Sequence, residues 1–115
     1  MKSGIRFEQG EIILIPFPFS DLSGFKQRPV LILSNNEYND KTEDIITCGI
    51  TSNLKDSEYS VLVSNTDLID GRIPSKSRIK VDKMFTLEQS LVKKRIGKIS
   101  KELFKEVRKE ITKLI

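Results

Sequence analysis

The chain has 115 residues, of which 37% are hydrophobic and 31% charged, and its 20 Lys/Arg against 16 Asp/Glu leave a net charge of +4. That length supports one core and therefore one domain, residues 1–115, with the composition of a globular protein rather than a disordered one. No apolar run approaches the ~20 residues of a membrane-spanning helix, the N-terminus does not read as a secretory signal, and the lone Cys48 cannot form an internal disulfide, which together point to a cytoplasmic protein with no membrane association.

The first apolar run, Glu11 to Phe17, reads as a strand. A polar, glycine-containing loop over Ser20–Arg28 leads to a second strand at Pro29–Ser34. Asn35 to Asp44 is polar, with room for one helical turn around Glu37 and Tyr38. Ile45–Ile50 and Tyr59–Val63 read as the third and fourth strands, and Asp70-Gly71 as a turn. Arg78 to Asp82 alternates polar and apolar residues, which predicts a half-buried strand with Ile79 and Val81 on one face and Arg78, Lys80 and Asp82 on the other. Cys48, in the apolar third strand, reads as a core filler.

The C-terminal segment is predicted to be a helix. Ser100 suits an N-cap and Glu102 the first turn. Leu103, Phe104, Val107, Ile111 and Leu114 recur at helical spacing and form one apolar stripe. Glu102, Glu106 and Glu110 each precede a lysine by three residues, which predicts ion pairs on the wet face. Residues 91–115 hold 9 Lys/Arg against 3 Asp/Glu, whereas residues 1–90 hold 11 against 13, so the positive charge is concentrated at this end. A polyanionic partner and the solvated side of a packed helix both account for that concentration. Five or six short strands and one closing helix predict a mainly β architecture, a small bent antiparallel sheet or barrel.

Several chemistries are excluded by composition. Without histidine there is no His/Cys zinc site and no Ser-His-Asp or Cys-His arrangement. Neither phosphate-binding glycine motif is present, and the loop carboxylates are too scattered for a two-metal site. No metal or other cofactor is expected. The remaining Arg, Lys, Ser, Thr, Tyr, Asp and Glu suffice for cleavage of RNA by its own 2′-hydroxyl, in which the protein orients the nucleophile, moves protons and stabilises charge on phosphorus. An arginine fork donates two hydrogen bonds to phosphate oxygens, and a threonine hydroxyl adds another. Arg28, at a loop-to-strand junction, and Thr51, beside Gly49 on the face away from Cys48, fit those tasks. An ion pair for Arg28 and a β-favouring strand end for Thr51 explain the same residues without chemistry.

The segments Gly10–Gly24, Gln27-Arg-Pro-Val-Leu-Ile-Leu-Ser34, Ile50-Thr-Ser-Asn53 and Val81-Asp-Lys-Met-Phe-Thr-Leu87, in this order, resemble the MazF/PemK toxin family over nearly the whole chain. The resemblance implies an SH3-like antiparallel β-barrel closed by a C-terminal helix, active as a homodimer. It implies the toxin of a type II toxin–antitoxin pair, a metal-independent, sequence-specific endoribonuclease that cuts single-stranded messenger RNA to leave 2′,3′-cyclic phosphate and 5′-hydroxyl ends. By the same resemblance Arg28 and Thr51 are the catalytic residues. Lys80 stands where some members have an arginine, keeping the charge without the planar fork, and Asp82 matches an acidic residue at the site. The loop from Phe17 to Gln27 corresponds to one beside the RNA groove, so Phe19, Ser20, Lys26 and Gln27 are expected to contact RNA, as are Ser52, Lys80 and Asp82. Some members carry a histidine in that loop and this chain does not, so the general base stays unassigned. A cognate antitoxin with an acidic, partly disordered tail is the expected protein partner.

Two rivals use the same fold. A gyrase-binding toxin like CcdB would depend on the end of the terminal helix, which here reads Lys113-Leu-Ile115 without the aromatic ending of such toxins. A non-catalytic SH3-like binding module would need an aromatic-lined groove, and the chain has no Trp, two Tyr and six Phe, several of them placed in strands or the helix.

Overall fold

The structure, a computed structural model, describes residues 6–17 and 26–115. Glu11–Phe17 (β1) and Lys26–Ile32 (β2) form an antiparallel pair, Asn36–Lys41 a short helix (α1), and Asp44–Thr51 (β3) and Ser60–Val63 (β4) the next strands. Leu68–Gly71 (β5), Ser77–Glu88 (β6), Lys94–Ile99 (β7) and the helix Lys101–Leu114 (α2) complete the order, with single 3-10 turns before β5 and after β6. All seven strands join one antiparallel sheet in the order β4-β6-β3-β2-β1-β7-β5, curled into a half-barrel with α2 packed against it.

The mainly β architecture expected from the sequence is present, and so is the closing helix. Ser100 caps α2 by accepting a hydrogen bond from the Leu103 amide at 3.1 Å. Leu103 and Val107 are buried against Ile12, Leu31, Cys48, Ile79 and Val81 on one face of the sheet. The opposite face carries a second apolar cluster, Ile13, Ile15, Val30, Ile32, Ile45 and Leu87. β1 reads as a continuous apolar run because Ile12 and Ile13 serve different clusters, so neither of its faces is left to solvent. Fully burying one such side chain stabilises the fold by ~1.5–3 kcal/mol.

Three features depart from the sequence reading. β2 begins at Lys26, because pairing with β1 from Phe17↔Lys26 to Leu14↔Pro29 carries the strand through the proline. β5 and β7 are additional strands. β5 has four residues and only Leu68 half-buried, and β7 is charge-rich, so neither shows alternation; their ladders to each other and to β1 make them strands. Gly71 ends β5 opposite Gly97 instead of forming the body of a turn. It lies at φ +76°, and a Cβ there would meet the Ile96 carbonyl oxygen at 2.1 Å, so both the conformation and the contact require glycine. Arg95 ties these edge strands together, bonding the buried Glu11 carboxylate of β1 at 2.5 Å and Asp70 of β5 at 2.9 Å. Its guanidinium is held more firmly protonated first by the Glu11 hydrogen bond.

Candidate active site

Side-chain alternation decides what meets on the face opposite α2. Val30 of β2 pairs with Gly49 of β3, and Gly49 pairs with Lys80 of β6. Arg28 lies two residues before Val30 and Thr51 two residues after Gly49, so both project from this same face. Arg28, Thr51, Lys80 and Gly49 line one groove of about 450 Å³ with Lys83, Met84 and Phe85. Among the described residues its walls carry three cationic side chains and no carboxylate. An added Cβ on Gly49 would come only to 3.9 Å from Lys83 Cβ, an ordinary contact, so the glycine sets the groove's depth without being demanded by packing.

Thr51 Oγ1 accepts a hydrogen bond from the Asn53 amide at 3.1 Å. A hydroxyl held through its lone pair keeps its proton available to donate. Lys80 Nζ donates to Ser57 Oγ at 2.8 Å, which fixes the ammonium near Thr51 and leaves further donors for a ligand. Thr51, Lys80 and Lys83 also line an adjoining groove of about 520 Å³ under the segment from Asn53 to Ser57, so the two form one continuous depression.

Arg78, paired across the ladder with Thr51, is only 7% exposed. Its guanidinium donates to Ser60 Oγ at 2.9 Å and lies 3.5 Å from the Asp56 carboxylate, so it braces the chain that follows Thr51. Alternation along β6 places Arg78 on this face, but nothing in the sequence indicates Ser60 and Asp56 as its partners.

Asp82 does not continue that alternation. The β3–β6 ladder runs Cys48↔Met84 and then Gly49↔Lys80, so Val81, Asp82 and Lys83 form a bulge. The bulge turns Lys83 toward Gly49, and Asp82 is exposed. Arg78 and Lys80 are paired on the face of Thr51 and Gly49, and Asp82 lies beyond them within the bulge. Lys83, Met84 and Phe85 enter the site through the same bulge, which had no sequence signal. Gln27 and Ser52 are exposed beside Arg28 and Thr51 without lining the groove. Phe19 and Ser20 lie outside the described residues, as does the side chain of Lys26.

Among the described residues no cluster of His, Cys, Asp and Glu is arranged to hold a metal ion, and no helix is long and apolar enough to cross a membrane. Cys48 is fully buried, and burial, with the Asp82 charge adding to it, pushes its thiol up to about 12.

A family model described as a PemK-like, MazF-like toxin of type II toxin–antitoxin systems matches residues 8–115. No protein of curated function matches the sequence. Among solved structures, MazE–MazF from Deinococcus radiodurans is 21% identical, with 96% of each chain covered and a TM-score of 0.77. An endoribonuclease in complex with its cognate antitoxin from a Mycobacterial species is 19% identical, covering 92% of this chain and 91% of that one at a TM-score of 0.74. The Mycobacterium tuberculosis toxin MazF-mt6 is 19% identical over 88% of this chain and 91% of that one, at a TM-score of 0.71. At these identities the likeness is one of fold.

Proposed function

Because the chain belongs to the PemK-like, MazF-like toxins of type II toxin–antitoxin systems, we propose that it is an endoribonuclease that cuts single-stranded messenger RNA in the groove between Arg28 and Thr51. The observation that carries this reading is the meeting of Arg28, Thr51 and Lys80 in one groove, although they come from three different strands. The names of similarly folded proteins, endoribonucleases among them, support it.

In the proposed reaction the ribose 2′-oxygen attacks the adjacent phosphorus as its proton leaves. The bond from phosphorus to the 5′-oxygen breaks and that oxygen takes up a proton. The products are a 2′,3′-cyclic phosphate and a 5′-hydroxyl, with no water consumed and no cofactor required. Charge builds on the non-bridging oxygens in the transition state, where a preorganised donor contributes most. Arg28 offers a planar pair of N–H donors, and Thr51, anchored through Asn53, offers its hydroxyl proton. Lys80 and Lys83 add fixed positive charge to receive the flanking phosphates. The proton acceptor for the 2′-hydroxyl is assigned to no residue. Gln27 and Ser52 adjoin Arg28 and Thr51 in sequence and, with Phe19 and Ser20, are the proposed source of preference among RNA sequences. The active form is proposed as a homodimer acting in the cytoplasm, held in check by an antitoxin with an acidic tail.

The test is digestion of a long mixed-sequence RNA by the purified chain in EDTA, with the ends read by mass spectrometry. Wild type should cut at discrete sites and leave cyclic phosphates, and Arg28→Ala should cut at least ~10²–10³-fold more slowly. Equal rates for the two proteins, or ends other than cyclic phosphate and 5′-hydroxyl, would overturn the mechanism.

A further inference from the structure

α2 sorts its charges to opposite flanks. On one flank Lys109 Nζ reaches Glu106 at 3.3 Å and Lys113 Nζ reaches Glu110 at 2.8 Å, so those lysines are matched. The third expected pair, Glu102 with Lys105, does not form. Lys101, Lys105 and Arg108 follow one another at i, i+4 and i+7 on the other flank, and among the described residues none of them meets a carboxylate. Successive members of such a row stand about 5–6 Å apart.

This row borders a groove of about 510 Å³ between α2, the end of β7 and the edge strand β5. Among the described residues no carboxylate lines it. Lys98, also in the lining, is tied to Glu8 at 2.8 Å, a bond that lowers the Glu8 carboxyl below its usual range and leaves the α2 row as the uncompensated charge. Two apolar surfaces sit among the cations. Phe104 lies under the Arg108 guanidinium, 5.1 Å from it, which holds that charge at the groove. Ile69 is 62% exposed because the β5–β7 ladder skips it, passing from Leu68↔Ile99 to Asp70↔Lys98.

The location separates this groove from the proposed active site. α2 covers the opposite face of the sheet, and Gly10 and Asn36 place the groove beyond the Ile32 end of β2, whereas Arg28 lies near its start. From Arg28 to Ile32 is four residues of strand, about 13 Å, and the sheet itself stands between the two faces. A ligand that occupies both passes from one face of the sheet to the other around its end.

We propose that the Lys101–Lys105–Arg108 edge of α2 is a second track for single-stranded RNA, holding backbone phosphates of a strand whose scissile bond lies in the Arg28–Thr51 groove. This rests on the RNA-cutting reading and adds the contact that favours long transcripts. A regular row of single charges matches a polymer with one charge per unit, and the exposed Ile69 and half-buried Phe104 among the cations give bases a surface to pack on.

Binding of a 2′-O-methyl RNA of about 30 nucleotides, which cannot be cut, is measured against salt for wild type and for the triple variant Lys101→Gln, Lys105→Gln, Arg108→Gln. Losing three phosphate contacts should flatten the plot of log affinity against log salt by about 2. The Lys109→Gln, Lys113→Gln variant, which alters the matched flank, should keep the wild-type slope. Cutting of an unmodified RNA just long enough for the active-site groove should change less than about twofold in the triple variant, since α2 is not in that groove. An unchanged slope in a triple variant that melts like wild type would overturn the track and leave this edge to an acidic protein segment. An equal flattening in the matched-flank variant would also overturn it, as unspecific loss of charge. If wild type binds but cuts no RNA, the nuclease reading fails alone, and the slope comparison still decides the track.

Discussion

Residues reveal chemistry by type and by spacing, and the two signals have different reach. Arg28 and Thr51 could be singled out because a strand start and a glycine-flanked strand end fix their faces, and the groove contains both. Lys83 shows where spacing falls short, since the bulge of Val81–Lys83 interrupts the alternation of a straight strand and brings this lysine beside Gly49. Cys48, read as core, is core, and its burial has a pH signature. Its thiol is raised from 9.0 to about 12, so the unfolded chain releases that proton at lower pH than the folded one. The contribution to stability is therefore whole below about pH 9 and lost as pH rises from there toward 12. Urea unfolding at pH 8 and pH 10 should show a larger loss for wild type than for Cys48→Ala, because lysine titration is common to both. Parallel losses would mean that the thiol is not sequestered. In the native state at pH 8 the thiol should also resist disulfide reagents that modify it in urea.

At the scale of elements, α2 was fully legible because a helix advertises itself locally, through the Ser100 cap and a stripe repeating every three to four residues. β5 and β7 were illegible for the converse reason, as their hydrogen bonds go to strands distant in sequence. The glycines mark the difference between local and tertiary demand. Gly71 is at positive φ with the Ile96 carbonyl and Gly97 packed where a Cβ would stand, so Gly71→Ala should cost at least ~2 kcal/mol and loosen the β5–β7 edge. Gly49 has room, so Gly49→Ala should change stability by less than ~1 kcal/mol while intruding on the groove. Denaturant melts of the two variants check both; equal costs would show that the Gly71 contact is readily relieved.

For the whole molecule, one curled sheet separates two tasks. One face is sealed by α2, and the other presents the groove formed where β2, β3 and β6 run side by side. The charge follows this division only in part, because two of the α2 lysines are spent on glutamates and the rest line a separate groove. The proposed homodimer and antitoxin have a joint consequence in light scattering. The chain alone should show about twice its 13.2 kDa, and the acidic antitoxin should raise that mass and stop RNA cutting together. A mass near one chain, or a bound antitoxin that leaves cutting unchanged, would remove the corresponding part of the proposal.

By itself the sequence determined the strand-rich class, the capped terminal helix, the exclusion of histidine chemistry and the family, because these are written in composition, short-range periodicity and ordered motifs. Only the tertiary structure decided that Arg28, Thr51 and Lys80 share a groove, that Arg78 braces the chain after Thr51, that Lys83 reaches the groove wall, and that Lys101, Lys105 and Arg108 stand unmatched. The physical reason is common to all four. Each depends on register between strands or on which side chains meet across elements, and a one-residue shift in pairing exchanges the faces while leaving the sequence pattern the same.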